Sequence, residues 1–264
     1  MPFDAVLLLP LLIKIAAAAL VVVVASIVSE KAGPAIGGII STLPVSTGPA
    51  YVLLALEHDD RFIADSALSS LVTNGAMILF LAALVRAAPR FGMAATVGLA
   101  SALWIGLAVL LRAAGPWSLT GALLVNLAAY GLAALAVRTP PDHAASPRRP
   151  VARWYDIPAR AALVGLLVAT VTTASHVIGP TATGIAAIYP IALTSLAVIL
   201  HSRLGGTAVA AAMRSALVTN PGFALCVLCA HLTAEPLGRA AALALALAVS
   251  LAWAVGVLAL RRRG

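Results

Sequence analysis

Charge is what this 264-residue chain has least of. Only 10% of its residues are Asp, Glu, Lys or Arg, where a soluble domain carries about 25%. Acidic residues are the scarcer sign, nine against seventeen basic ones, for a formal net charge of +8. There are no paired carboxylates deep in an apolar stretch, no phosphate-cradling glycine loop with a lysine, and no HExxH. Those absences remove the usual enzyme signatures, and the chain is expected not to be an enzyme. Cysteine occurs twice, at Cys226 and Cys229, inside one apolar run. Without further ligands nearby they read as small apolar helix residues rather than a redox or zinc pair. Ten-residue segments alternating polar and apolar are also missing, which excludes a transmembrane β-barrel.

What the chain has in abundance is hydrocarbon. It is 62% hydrophobic, with a mean hydropathy of +1.06. Apolar runs of twenty or more residues follow one another with short gaps, the pattern of an all-α polytopic membrane protein. Nine spans are expected, at about 5–28, 33–56, 62–87, 93–112, 117–137, 157–177, 180–202, 206–231 and 236–260. The first is read as retained, because the short leader carries Asp4 instead of a basic cluster. With nine spans, twelve Lys and Arg fall on one side of the membrane and three (Arg61, Arg112 and Arg239) on the other. The rich side should be cytoplasmic, so the N-terminus is expected outside and the C-terminus inside. Orientation accounts for the positive charge, and no nucleic acid is expected as a partner. Abundant Ala and Arg suit a GC-rich bacterial genome, and α-helical spans then suit the inner membrane.

The chain also repeats itself at an offset of 146. Gly33-Pro34 returns as Gly179-Pro180, Pro44 as Pro190, and Leu71-Val72-Thr73-Asn74 as Leu217-Val218-Thr219-Asn220. Spans 1–4 match spans 6–9, while span 5 has no copy. An odd helix between two four-helix units turns the second unit over, so an inverted 4+1+4 repeat is expected. Its parts are repeat one at 1–112, a linking span and basic loop at 113–156, and repeat two at 157–264.

Candidate site residues follow from where polarity interrupts these spans. Pro44 and Pro190 lie near the middle of spans 2 and 7, and each should free a carbonyl four residues earlier, at Ile40 and Ala186. Thr47 and Ser195 crowd these breaks. Thr73-Asn74 and Thr219-Asn220 place amides at mid-membrane, suited to a carboxylate, a sodium ion or a broken backbone, or to gluing one helix to another. Lys14 and Arg214 are cations within spans, which favours an anionic group as ligand. The histidines sit at span ends or in the long loop and show no metal-ligand spacing.

The layout resembles inverted-repeat secondary transporters with broken helices. Thr183-Gly184 through Pro190 resembles small bacterial membrane proteins of the GlpM type. Neither resemblance supplies binding residues. The expectation is a secondary transporter moving a small anionic solute by alternating access, without a cofactor and compatible with sodium or proton coupling and with a homodimer. Two alternatives stay open: a lipid-phosphate or lipid-linked carrier or flippase, and a non-transporting subunit or scaffold of a membrane complex.

Overall fold

The computed structural model describes residues 12–21, 23–24, 47–137 and 156–261. Every element among them is a helix. We label them α1 (Leu12–Val21), α2 (Thr47–Glu57), α3 (Asp60–Ala87), α4 (Met93–Ala113), α5 (Leu119–Ala136), α6 (Asp156–Ala187), α7 (Ile191–Leu204), α8 (Gly206–Thr219), α9 (Pro221–Leu237) and α10 (Arg239–Arg261). Among the described residues, six helical stretches are long and apolar enough to cross a membrane. The chain has the build of a multi-pass membrane protein.

Six stretches replace the nine spans expected, for identifiable reasons. Most of spans 1 and 2 lies outside the described residues, including Pro44, Ile40 and the Gly33-Pro34 pair. Spans 6 and 7 form one apolar stretch, 157–204, interrupted twice. The first interruption is Gly179, at φ 73° and ψ 174°. Only glycine adopts that conformation without strain, and Pro180 restarts the helix because its missing N–H needs no partner in a first turn. The second is Ile188 to Pro190, between α6 and α7. Span 8 is also interrupted: Pro221 follows Asn220 and separates α8 from α9.

α3 is the core of the molecule. It packs against α4, α5, α6, α8 and α9, and Ile63, Leu71, Ile78, Phe80, Leu81 and Leu84 are fully buried along it. Asp59 starts it by accepting the Phe62 N–H at 2.8 Å, satisfying one of the amides a helix start leaves without a partner.

The 146 offset reappears in the element bounds. α3 begins at residue 60 and α8 at 206; α4 begins at 93 and α10 at 239. The contacts between α3 and the α8–α9 pair step in opposite directions along the two. His231 Nδ1 lies 2.9 Å from the Ala64 carbonyl, Asn220 bonds Asn74, and Gly206 sits against the Ala88 carbonyl with no room for a Cβ. α8–α9 therefore runs antiparallel to α3. Other contacts come in corresponding pairs. α2 packs on α10 as α7 packs on α4. Arg239 donates to the Ala55 carbonyl at one end, and His201 meets the Phe91 carbonyl at the other.

Candidate functional site at the broken helix

Residues 180–187 form a short half-helix between two breaks, and its backbone is gripped by hydroxyls. Ser66 donates to the Pro180 carbonyl at 3.2 Å and Ser70 to the Gly184 carbonyl at 2.7 Å. Tyr51 lies 2.8 Å from the same Ser70 hydroxyl. The approach is that close because residue 184 is glycine: a Cβ there would strike the Ser66 backbone. At the end of the half-helix, Thr47 donates to the Ala187 carbonyl at 3.3 Å. On the other flank Trp104 meets Tyr189 edge to face, with ring centroids 5.1 Å apart. Non-helical backbone at membrane depth is tolerated only when buried in protein or lining a cavity, and here hydroxyls and rings enclose it.

The carbonyl expected to be freed at Ala186 is not free. It accepts the Tyr189 N–H at 3.2 Å, because the chain tightens into a three-residue turn before Pro190. The next carbonyl, Ala187, is the one that Thr47 reaches.

Asn74 and Asn220 do meet. Asn220 Nδ2 donates to Asn74 Oδ1 at 3.1 Å, across 146 residues. Asn74 Nδ2 donates to Asn126 Oδ1 at 2.8 Å. Asn126 in turn donates to the Leu71 and Ala122 carbonyls, and Asn220 also donates to the Tyr130 hydroxyl at 3.1 Å. Asn74 is 0% exposed. An unmatched amide would be costly there, and the network supplies the match.

The remaining candidates disperse. Thr73 and Thr219 donate to the carbonyls of Ser69 and Ser215 one turn back, and Ser195 to that of Ala192. Pro190 caps the start of α7 at the break. Arg214 donates to the Val137 carbonyl at 2.6 Å. Lys14 pairs with Glu57 Oε1 at 2.7 Å. Neither cation reaches the asparagine cluster with a described bond, and they serve different ends of the molecule.

Beside the half-helix lies a cavity of about 420 Å³. Its described walls come from α1, α2, α9 and α10, and among them only Thr47, Tyr51 and Cys226 bring polar side-chain atoms. Thr47 and Tyr51 belong to both structures: each lines the cavity and each reaches the half-helix, Thr47 directly and Tyr51 through Ser70. Ala17 and Ala18 line the cavity from α1, and Lys14 stands one turn beyond them on the same face.

Asn126, Tyr130 and the cavity escaped the sequence reading. Asn126 and Tyr130 lie in a stretch that the 146-residue sequence match does not cover, so nothing marked them. The histidines were read at span ends but not as a group, and the structure brings two of them together at the end of α2. His176 Nε2 lies 3.2 Å from Glu57 Oε2, and His58 Nε2 lies 2.6 Å from Ser175 Oγ. Burial first, and the neighbouring His176 second, hold His58 below the usual imidazole range. Compared with protein-family models, curated proteins and solved structures, the chain finds no match in any of the three.

Proposed function

We propose that the chain is a secondary carrier of the inverted-repeat type, working by alternating access on a lipid-linked or lipid-phosphate substrate. The observation that carries this reading is the apolar cavity tied by Thr47 and Tyr51 to a doubly interrupted helix. An apolar tail would fill the cavity. Its anionic head would reach Lys14, one turn beyond the cavity wall, in exchange for Glu57. The small anionic solute fits less well, because the described cavity wall is apolar and offers no charge, which suits a tail and not a bare anion.

In this proposal the chain has nine spans, its N-terminus lies outside the bacterial inner membrane, and the two four-span units are inverted about span 5. The antiparallel run of α3 and α8–α9 supports that inversion, as does the bond between equivalent asparagines. A residue on a two-fold axis is the one that meets its own copy. The half-helix would be the moving element, since movement of α2 shifts Thr47 and Tyr51 and changes how residues 180–187 are held. Coupling to sodium or protons belongs to the same proposal.

The scaffold reading has one observation in its favour: the asparagines bond each other, as helix glue does. A thermal-shift experiment on the purified full chain separates the readings, because a ligand that binds the folded state raises its melting temperature. Polyprenyl phosphate should raise it, and Leu247→Trp, which fills the cavity from α10, should remove the rise. Stabilisation by small anions alone would favour the small-solute carrier. No stabilisation by either class would favour the scaffold.

A further inference from the structure

Three metal-ligating side chains converge where α2 ends, and nothing in the carrier reading requires them to. Glu57 and His58 are neighbours in the chain; His176 arrives from α6. One ligand atom from each lies within 4.8 Å of the other two. Glu57 Oε2 and His176 Nε2 are 3.2 Å apart. Two donors on one tetrahedral zinc ion, with bonds of about 2.0–2.1 Å, stand about 3.3–3.4 Å apart. The two imidazole rings lie with centroids 4.5 Å apart and planes tilted by 35°. His58 is fixed by stacking on Phe62 at 3.7 Å and by Ser175, whose own hydroxyl donates to the Thr172 carbonyl. The group is reachable from solvent: side-chain exposure is 25% for Glu57 and 54% for His176.

We propose that Glu57, His58 and His176 form a binding site for zinc, which joins the segment after α2 to α6 at the end of the bundle where Lys14 lies. Two imidazoles and one carboxylate are the donor set of a three-ligand zinc site, with water completing the tetrahedron. Nitrogen donors select zinc over magnesium and calcium, which prefer oxygen. Lys14 is the opposing charge. It occupies Glu57 Oε1 and leaves Oε2 toward His176, so the carboxylate serves both, and the ammonium weakens the metal by repulsion. Bound zinc would hold the α2 end against α6 and so fix the position of the helix that carries Thr47 and Tyr51. The site itself stands whether or not the chain is a carrier.

The test uses the purified full chain, stripped with a chelator and titrated with zinc chloride or magnesium chloride. Bound zinc is read with a competing indicator, and the melting temperature is read in parallel. Zinc should bind near one per chain and raise the melting temperature, and magnesium should do neither. His176→Ala should lose the binding, while Cys226→Ser with Cys229→Ser should keep it. Lys14→Met should tighten it by at least about tenfold, the effect that a unit charge beside a divalent cation has even at the dielectric of water. That gain would not follow from a merely structural ion pair. Failure of the native chain to bind zinc overturns the proposal, as does undiminished binding in the His58→Ala, His176→Ala double variant.

Discussion

α3 and the α8–α9 pair carry the same four residues, Leu-Val-Thr-Asn, to the same point of contact, yet they are built differently there. In α3, Gly75 follows Asn74 and the helix runs unbroken over all of its 28 residues. In α8–α9, Pro221 follows Asn220 and the helix divides after 14 residues. Asn74 is fully buried and held from two sides, while Asn220 is partly exposed. The difference traces to α5. It lies against α3, and it supplies Asn126 to one asparagine and Tyr130 to the other. Gly75 admits it: a Cβ at residue 75 would stand 2.6 Å from Val125 Cγ1. The two asparagines 146 residues apart meet, and α5 favours one of them with burial in the core.

Exchanging the residues after the two asparagines should break this comparison most severely. Gly75→Pro removes a hydrogen bond inside the buried core helix and forces a ring against α5, at a cost of about 3 kcal/mol or more. Folded protein should be lost on size exclusion. The reverse change, Pro221→Gly, restores an N–H where the chain is already helical on both sides, and should alter stability by no more than about 1 kcal/mol. Equal effects from the two would mean that α3 is not the core.

The asparagines themselves come next. Asn74→Leu leaves Asn126 Oδ1 and one Asn220 N–H without partners, for about 1–3 kcal/mol in SDS unfolding titrations. Asn220→Leu should cost less, about 1 kcal/mol, since it leaves Asn74 Oδ1 alone without its described partner. The double variant should show the two changes to be non-additive, since they share a bond. Tyr130→Phe removes only one partner of Asn220 and should have the smallest effect, below about 0.6 kcal/mol.

How much of this was legible beforehand depends on whether a residue left a mark in its own neighbourhood. Gly179-Pro180 and Pro190 break helices through their own backbone chemistry, so both interruptions could be read from the chain. The Asn74–Asn220 pair was visible because the repeat aligned it. The helix starts at residues 60, 93, 206 and 239 fall within two or three residues of the expected ones. Partners chosen by tertiary packing left no such mark. Nothing near Lys14 names Glu57, nothing near His58 names His176, and Asn126 sits alone in an apolar helix. The carbonyl released before Pro190 was misplaced by one residue, because a local turn satisfied Ala186 and left Ala187 to Thr47. The lesson is that local rules located the breaks, while the groups that enclose them come from other helices.

Inversion of the two copies is the central claim, and it makes equivalent positions lie on opposite faces of the membrane. Arg61 and Thr207, 146 residues apart, are both exposed at the starts of α3 and α8. The most direct measurement places a single cysteine at either position, in a Cys226→Ser, Cys229→Ser background. Each variant is then treated with a membrane-impermeant maleimide on right-side-out vesicles. Arg61→Cys should label on intact vesicles, and Thr207→Cys only after permeabilisation. Labelling of both from the same face would contradict the inverted repeat and, with it, the alternating-access proposal.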